Sequence, residues 1–91
     1  MKTNTITYSD TELRNLVEEY ITQQKNVFTL KGVCSYVLYW AVEDGKVVNN
    51  SKLIEGYELN SEDQERVIKV LDAIITDGRI TVIGRGEYQK Q

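Results

Sequence analysis

Apolar positions recur along the chain at more than one spacing. From Thr11 to Gln24, the residues Leu13, Leu16, Val17, Tyr20 and Ile21 fall at i, i+3, i+4, i+7 and i+8, the stripe of an amphipathic helix. Ser9 and Glu12 precede it at the spacing of a capping box, in which the hydroxyl accepts a terminal N–H and the glutamate reaches back. The polar run Gln23 to Asn26 gives way to Val27-Phe28-Thr29-Leu30, an extended piece too short to be a sheet alone and in need of a partner strand. Lys31 to Asp44 has helical spacing in Val33, Tyr36, Val37, Trp40 and Ala41, while Cys34, Leu38, Tyr39 and Val42 make it apolar almost all round. Its β-branched and aromatic content also suits a strand, and Asp44-Gly45 is a hairpin dipeptide. A helix is favoured. A strand of that length would be roughly twice the usual 5–6 residues, and Gly45 serves equally well just past a helix end.

The pattern then loosens. Residues 46–60 read as a connector with a turn signal at Asn49-Asn50-Ser51, yet they carry Val47, Val48, Leu53, Ile54, Tyr57 and Leu59. So long a structureless stretch is uncommon inside a small domain, and it is expected to lie over Tyr39 and Val42 on the flank of the second helix. Periodicity returns with Val67, Ile68, Val70, Leu71, Ile74 and Ile75, a wide apolar face. Ser61 is the expected N-cap, Glu62 and Asp63 suit the positive end of the helix dipole, and Gln64 completes a box. Gly78 ends the helix. Arg79 to Ile83 alternates as a strand, Gly84-Arg85-Gly86 forms a turn, and Glu87 to Lys90 returns. Gly86 suits the left-handed position of a turn with a G1 bulge. Pairing Ile83 with Glu87 sets Val82 opposite Tyr88, and that face is expected to pack inward while Arg79, Thr81 and Ile83 look away. Residues 1–8 are expected to be a loose tail, and residues 9–91 one domain.

The order is helix, short strand, helix, helix, β-hairpin, with the helix Val67 to Thr76 running through Asp77-Gly78-Arg79-Ile80 into a hairpin tipped by Gly84-Arg85-Gly86. This resembles the recognition helix and wing of a winged helix-turn-helix domain. The resemblance implies an α+β fold of three helices, in which Val27 to Leu30 joins the hairpin as the third strand. It departs from the family pattern in the long 46–60 connector, where a turn of about three to four residues is usual.

Composition narrows the chemistry. The 91 residues include no histidine, one cysteine (Cys34), and no proline. That excludes an internal disulfide, a Cys/His metal site and a histidine base. Without a nucleophile–base pair, a metal cluster or a phosphate loop, no enzyme, no cofactor and no small-molecule substrate are expected. Gly84-Arg85-Gly86 lies between strands and is not a nucleotide fingerprint. Paired carboxylates such as Glu18-Glu19 and Glu43-Asp44 read as solvated surface, and Cys34 as a buried structural thiol. No membrane span and no signal peptide are legible, and a lone free thiol fits the cytoplasm.

The net charge of −3 disfavours polyanions as partners of the whole chain, but the charge is uneven. Residues 59–78 hold five acidic and two basic side chains, whereas residues 79–91 hold Arg79, Arg85 and Lys90 against Glu87 alone. Two functions follow. In the first, the protein binds duplex DNA as a regulator or accessory factor through Arg79, Arg85 and Lys90 on the wing, with Lys69 and Gln64 secondary. In the second, it is a protein-interaction or dimerisation module, using the acidic third helix and an apolar patch of Tyr39, Val42, Leu53, Ile54 and Tyr57. Tyr36 and Trp40 are expected in the core.

Overall fold

The structure is a computed structural model that describes residues 5–48 and 59–91. In chain order these form β1 (Thr5–Ile6), α1 (Asp10–Gln23), β2 (Val27–Thr29), α2 (Leu30–Glu43), β3 (Val47–Val48), α3 (Ser61–Thr76), β4 (Ile80–Gly84) and β5 (Glu87–Lys90). The architecture is α+β, three helices with a small antiparallel sheet in the order β2-β5-β4 and a separate β1-β3 pair. Among the described residues no helix is long and apolar enough to cross a membrane.

Each helix begins where a side chain can satisfy its free N–H groups. The capping box at Ser9 and Glu12 is present in both directions, at 3.2 and 2.9 Å. Thr29 closes β2 and caps α2 through the Gly32 N–H at 3.0 Å. For α3 the cap is Asn60, not Ser61. Its side-chain oxygen accepts the Asp63 N–H at 2.8 Å, and Ser61 is already helical. The same amide then donates to Thr5 Oγ1 at 2.8 Å, a contact serine is too short to make in addition to the cap.

Two helices end in the same way. At α3, Gly78 sits at φ +78°, its N–H bonds to Ile75, and the Arg79 N–H bonds to Ile74. This is the six-to-one and five-to-two pattern of a Schellman motif, which needs a left-handed residue at its corner. At α2, Gly45 plays the same part with the carbonyls of Val42 and Ala41. Asp44-Gly45 therefore ends a helix and does not open a hairpin, which settles the ambiguous middle segment.

The core is the meeting of three stripes: Leu13, Val17 and Ile21 from α1, Val33, Val37, Leu38 and Ala41 from α2, and Val67, Leu71 and Ile74 from α3. Phe28, Ile80 and Tyr88 close it from the sheet. On α2 the buried arc runs from Val33 through Val37 and Ala41 to Leu38, so Trp40 falls at its margin and is 37% exposed. The expectation that Trp40 lies in the core is thus corrected. Tyr36, also expected there, is half-buried. It bridges α1, donating to Glu19 at 3.0 Å with its ring 5.1 Å from that of Tyr20. Gly32 gives the Tyr20 ring room: a Cβ there would collide with the Tyr20 hydroxyl.

Residues 5–8 are not a loose tail. Ile6 and Tyr8 are buried, and β1 pairs with β3 in the register Thr5↔Val48 and Ile6↔Val47. The Ile6 N–H donates to the buried Asp63 carboxylate at 2.9 Å, the Tyr8 hydroxyl donates to Asp44 at 2.7 Å, and Arg66 donates to the Tyr8 carbonyl at 2.7 Å. The first two residues of the 46–60 connector that carry valines are strand, and Leu59 at its end is buried. The expected packing of the connector's middle over Tyr39 and Val42 lies outside the described residues.

The hairpin pairs Val82 with Tyr88 as its alternation requires, but Gly84 and not Ile83 stands opposite Glu87, because a bulge lies between Val82 and Gly84. Val82 is 57% exposed. It shares a face with Tyr88, yet the core reaches only as far as Ile80 and Tyr88, and the hairpin continues beyond it. The expectation that Val82 packs inward is therefore corrected.

Candidate functional site

The expected basic residues occupy unequal positions. Arg85 stands exposed at the hairpin tip. Arg79 is held at 3.4 Å from Glu18, which also takes Arg14 at 2.7 Å; these bonds keep the Glu18 carboxyl below the usual carboxylate range, the Arg14 bond foremost. Lys90 extends back to the carbonyl of Gln24, the C-cap of α1, at 2.8 Å, where a cation matches the negative end of the helix dipole. Gln64 donates to the Leu59 carbonyl at 2.9 Å and is part of the start of α3. Lys69 is exposed on the outer face of α3, beside the acids Glu62, Glu65 and Asp72. The five residues do not form one surface. Arg85 stands at the turn of the hairpin, and Arg79 and Lys90 at its open end; Lys69 and Gln64 belong to the helix.

The sheet adds two cations that the linear reading passed over. β2 pairs with β5 in the register Val27↔Gln89, Phe28↔Tyr88 and Thr29↔Glu87. The Leu30 N–H bonds to the Gly86 carbonyl at 2.9 Å and the Lys90 N–H to Asn26 at 2.8 Å. These bonds bring the exposed Lys31 to the side of the hairpin turn and the exposed Lys25 to the side of its C-terminal strand. Residues 24–31 and 79–91 together hold five basic side chains and one acidic, a net of +4, against −7 for the rest of the chain. A sequence signal existed: Lys25 and Lys31 bracket the short strand that had to find a partner.

The N-terminal end of α3 is engaged elsewhere. Asn60, Asp63 and Arg66 all bind residues 5–10, with Arg66 also 3.0 Å from Asp10. Asp63 is the buried charged group of the core and was read from sequence as a surface helix-cap acid. It is satisfied by the Ile6 N–H, with Arg66 a further 3.7 Å away.

On the far side of α2, Tyr39 is 58% exposed and Val42 41%. With Ser35, Leu38 and Glu43 they line a shallow groove of about 390 Å³. Trp40 lies next to it, edge-on to Tyr39 at 5.4 Å. Leu53, Ile54 and Tyr57, expected to extend this patch, lie outside the described residues. Cys34 is half-buried and burial pushes its thiol up to about 11, which leaves it a poor nucleophile at neutral pH. Among the described residues no group of His, Cys, Asp and Glu could hold a metal ion. Compared with known proteins, the chain matches no family model, no curated protein and no solved structure.

Proposed function

We propose that the protein is a winged helix that binds nucleic acid through its sheet end, without catalysing a reaction, as a cytoplasmic regulator or accessory factor. The observation that carries this reading is the β2-β5-β4 pairing, which sets Lys31 near Arg85 at the turn and Lys25 near Lys90 at the open end, so that residues 24–31 and 79–91 carry a net +4 on an acidic chain. Arg85 is the residue free to enter a minor groove or grip a phosphate. The third helix is not the reading element. Its outer face is acidic, and its first turns are tied to residues 5–10. Contact is therefore with the phosphate backbone and groove shape, and carries little base specificity.

Anisotropy titration of a labelled mixed-sequence duplex tests this. Affinity should fall with salt at a slope corresponding to about three phosphates, roughly −2.7, and should change little between sequences. No binding at about 50 mM salt would remove the reading. A second reading, a protein-interaction or dimerisation module, is favoured by the exposed Tyr39, Trp40 and Val42 beside the α2 groove. It predicts that Tyr39→Ala abolishes a self-associated species seen by sedimentation while duplex binding is unchanged.

A further inference from the structure

We infer that the outer edge of β4 takes an extended segment of another protein as a fourth strand, one with a β-branched centre and acidic residues on both sides of it. β4 is the end strand of the β2-β5-β4 sheet. The Gln91 N–H bonds to Arg79 and the Lys90 N–H to Asn26, so odd-numbered residues at this end of β5 face β4 and even-numbered ones face β2. By the alternation of an antiparallel ladder, Arg79 and Thr81 face β5 in return. The N–H and C=O groups of Ile80 and Val82 are then directed outward, and among the described residues no strand covers them.

Natural edge strands are commonly protected by proline or by a charge within the strand. Neither is present, since residues 80–84 are uncharged and the chain has no proline; the bulge between Val82 and Gly84 ends the regular edge at Val82, so Ile80 to Val82 is the part open to a partner. Val82 and Ile83 are 57% and 49% exposed, so an added strand would find apolar side chains beside it. Main-chain pairing of this kind gives affinity, and side chains give selectivity.

The charge selects the occupant. Arg85 at the tip and Arg79 at the start of β4 bracket the uncharged run; Arg85 is exposed and Arg79, already 3.4 Å from Glu18, would be shared with the incoming acid. Edge pairing with a second copy would instead bring two ends of net +4 together. The inference differs from nucleic-acid binding in using the main-chain edge of β4; it shares Arg79 and Arg85 with that reading, so only the N-methylated peptide and the Val82 variants tell the two apart.

The test titrates the 91-residue chain with a capped peptide whose alternating valine–threonine centre is flanked on both sides by aspartate, followed by amide NMR and hydrogen exchange. Saturable binding with new protection at the Ile80 and Val82 amides is expected. The same peptide flanked by lysine, and the aspartate peptide N-methylated along one edge, should each bind about tenfold more weakly or worse. Val82→Pro removes an outward N–H while leaving the bonds to β5, and should weaken binding comparably. Val82→Glu, which repels the acidic flanks without proline's constraint, should do the same if the proline variant fails to fold. Equal binding of the N-methylated peptide overturns the inference. So does protection confined to α2 or α3, a dimer of the free protein whose β4 amides are already protected, or the same protection conferred by duplex DNA.

Discussion

The two ends of the molecule solve opposite problems. At the start of α3 a buried carboxylate, Asp63, accepts the Ile6 N–H with Arg66 at 3.7 Å, while Tyr8 ties the N-terminal segment to Asp44 at the end of α2 and to Arg66 of α3. At the hairpin, Val82, Ile83 and Arg85 are exposed, no strand among the described residues covers the outer edge of β4, and the sheet segments carry five cations and one acid, with Glu18 of α1 held against Arg79. The first end uses its buried polar groups in bonds within the chain. The second contributes little to the core beyond Ile80 and Tyr88, and leaves Arg85, Lys25 and Lys31 exposed. Stability and recognition are thereby placed on different side chains, which makes them separable by mutation.

The largest effect is expected in the core. Leu71→Ala removes a fully buried side chain and should cost about 2–5 kcal/mol in urea unfolding. Ile83→Ala at the other end should stay within roughly 0.5 kcal/mol. Comparable losses would show that the hairpin is part of the stabilising core. Asp63→Ala leaves the Ile6 N–H without its acceptor and should cost about 1–3 kcal/mol; hydrogen exchange should then show Ile6 opening before the helices. Gly32→Ala sets a methyl against the Tyr20 hydroxyl at the far end of that side chain and gains up to about 1 kcal/mol of helix propensity, so its net cost should be about 1 kcal/mol. A stabilised variant would mean that Tyr20 moves aside easily.

Arg85→Ala should leave the unfolding midpoint in place and reduce the magnitude of the salt slope for duplex DNA by about 1. Lys69→Ala, on the acidic helix face, should change neither. The smallest effect is in pH. Glu18 is held below its ordinary value by Arg14 and then by Arg79. Its stabilising contribution is present above the unfolded value near 4.3 and is lost as pH falls through the lower folded value. Because Glu18 is about a third exposed, the change is small. It is read as a lowered urea midpoint between about pH 5 and pH 3 that Glu18→Gln flattens. Tyr8 responds on the other side. Burial, then the bond to Asp44, raises its hydroxyl, so the contribution is full below the unfolded value near 10 and is lost as pH rises through the higher folded value.

The helices were legible because their information is local. Leu13 to Ile21 and Val67 to Ile75 repeat at helical spacing, Ser9 and Glu12 cap in place, and Gly45 and Gly78 turn the chain where their lack of a Cβ allows it. The pairing of Val82 with Tyr88 was legible from the alternation, but the turn was not, since Gly84 rather than Ile83 stands opposite Glu87 across a bulge that no spacing announces. What else failed was long-range. Thr5 to Tyr8 looked like a tail because two apolar residues among polar ones carry no period; their burial depends on β3 and Asp63, which lie far along the chain.

The amino-acid order by itself thus determined three helices, a hairpin and an uneven distribution of charge, because capping, periodicity and turn chemistry act over a few residues. Only the tertiary structure decided which charges are neighbours. Lys25 and Lys31 reach the hairpin because β2 must pair its main chain with β5, and Asp63 is buried because the N-terminal strand crosses it. Arg79 and Lys90 are held by Glu18 and the end of α1, while Arg85, at a tip the core does not reach, remains exposed. Such pairings are set by the closure of distant segments on one another, and no spacing along the sequence encodes them.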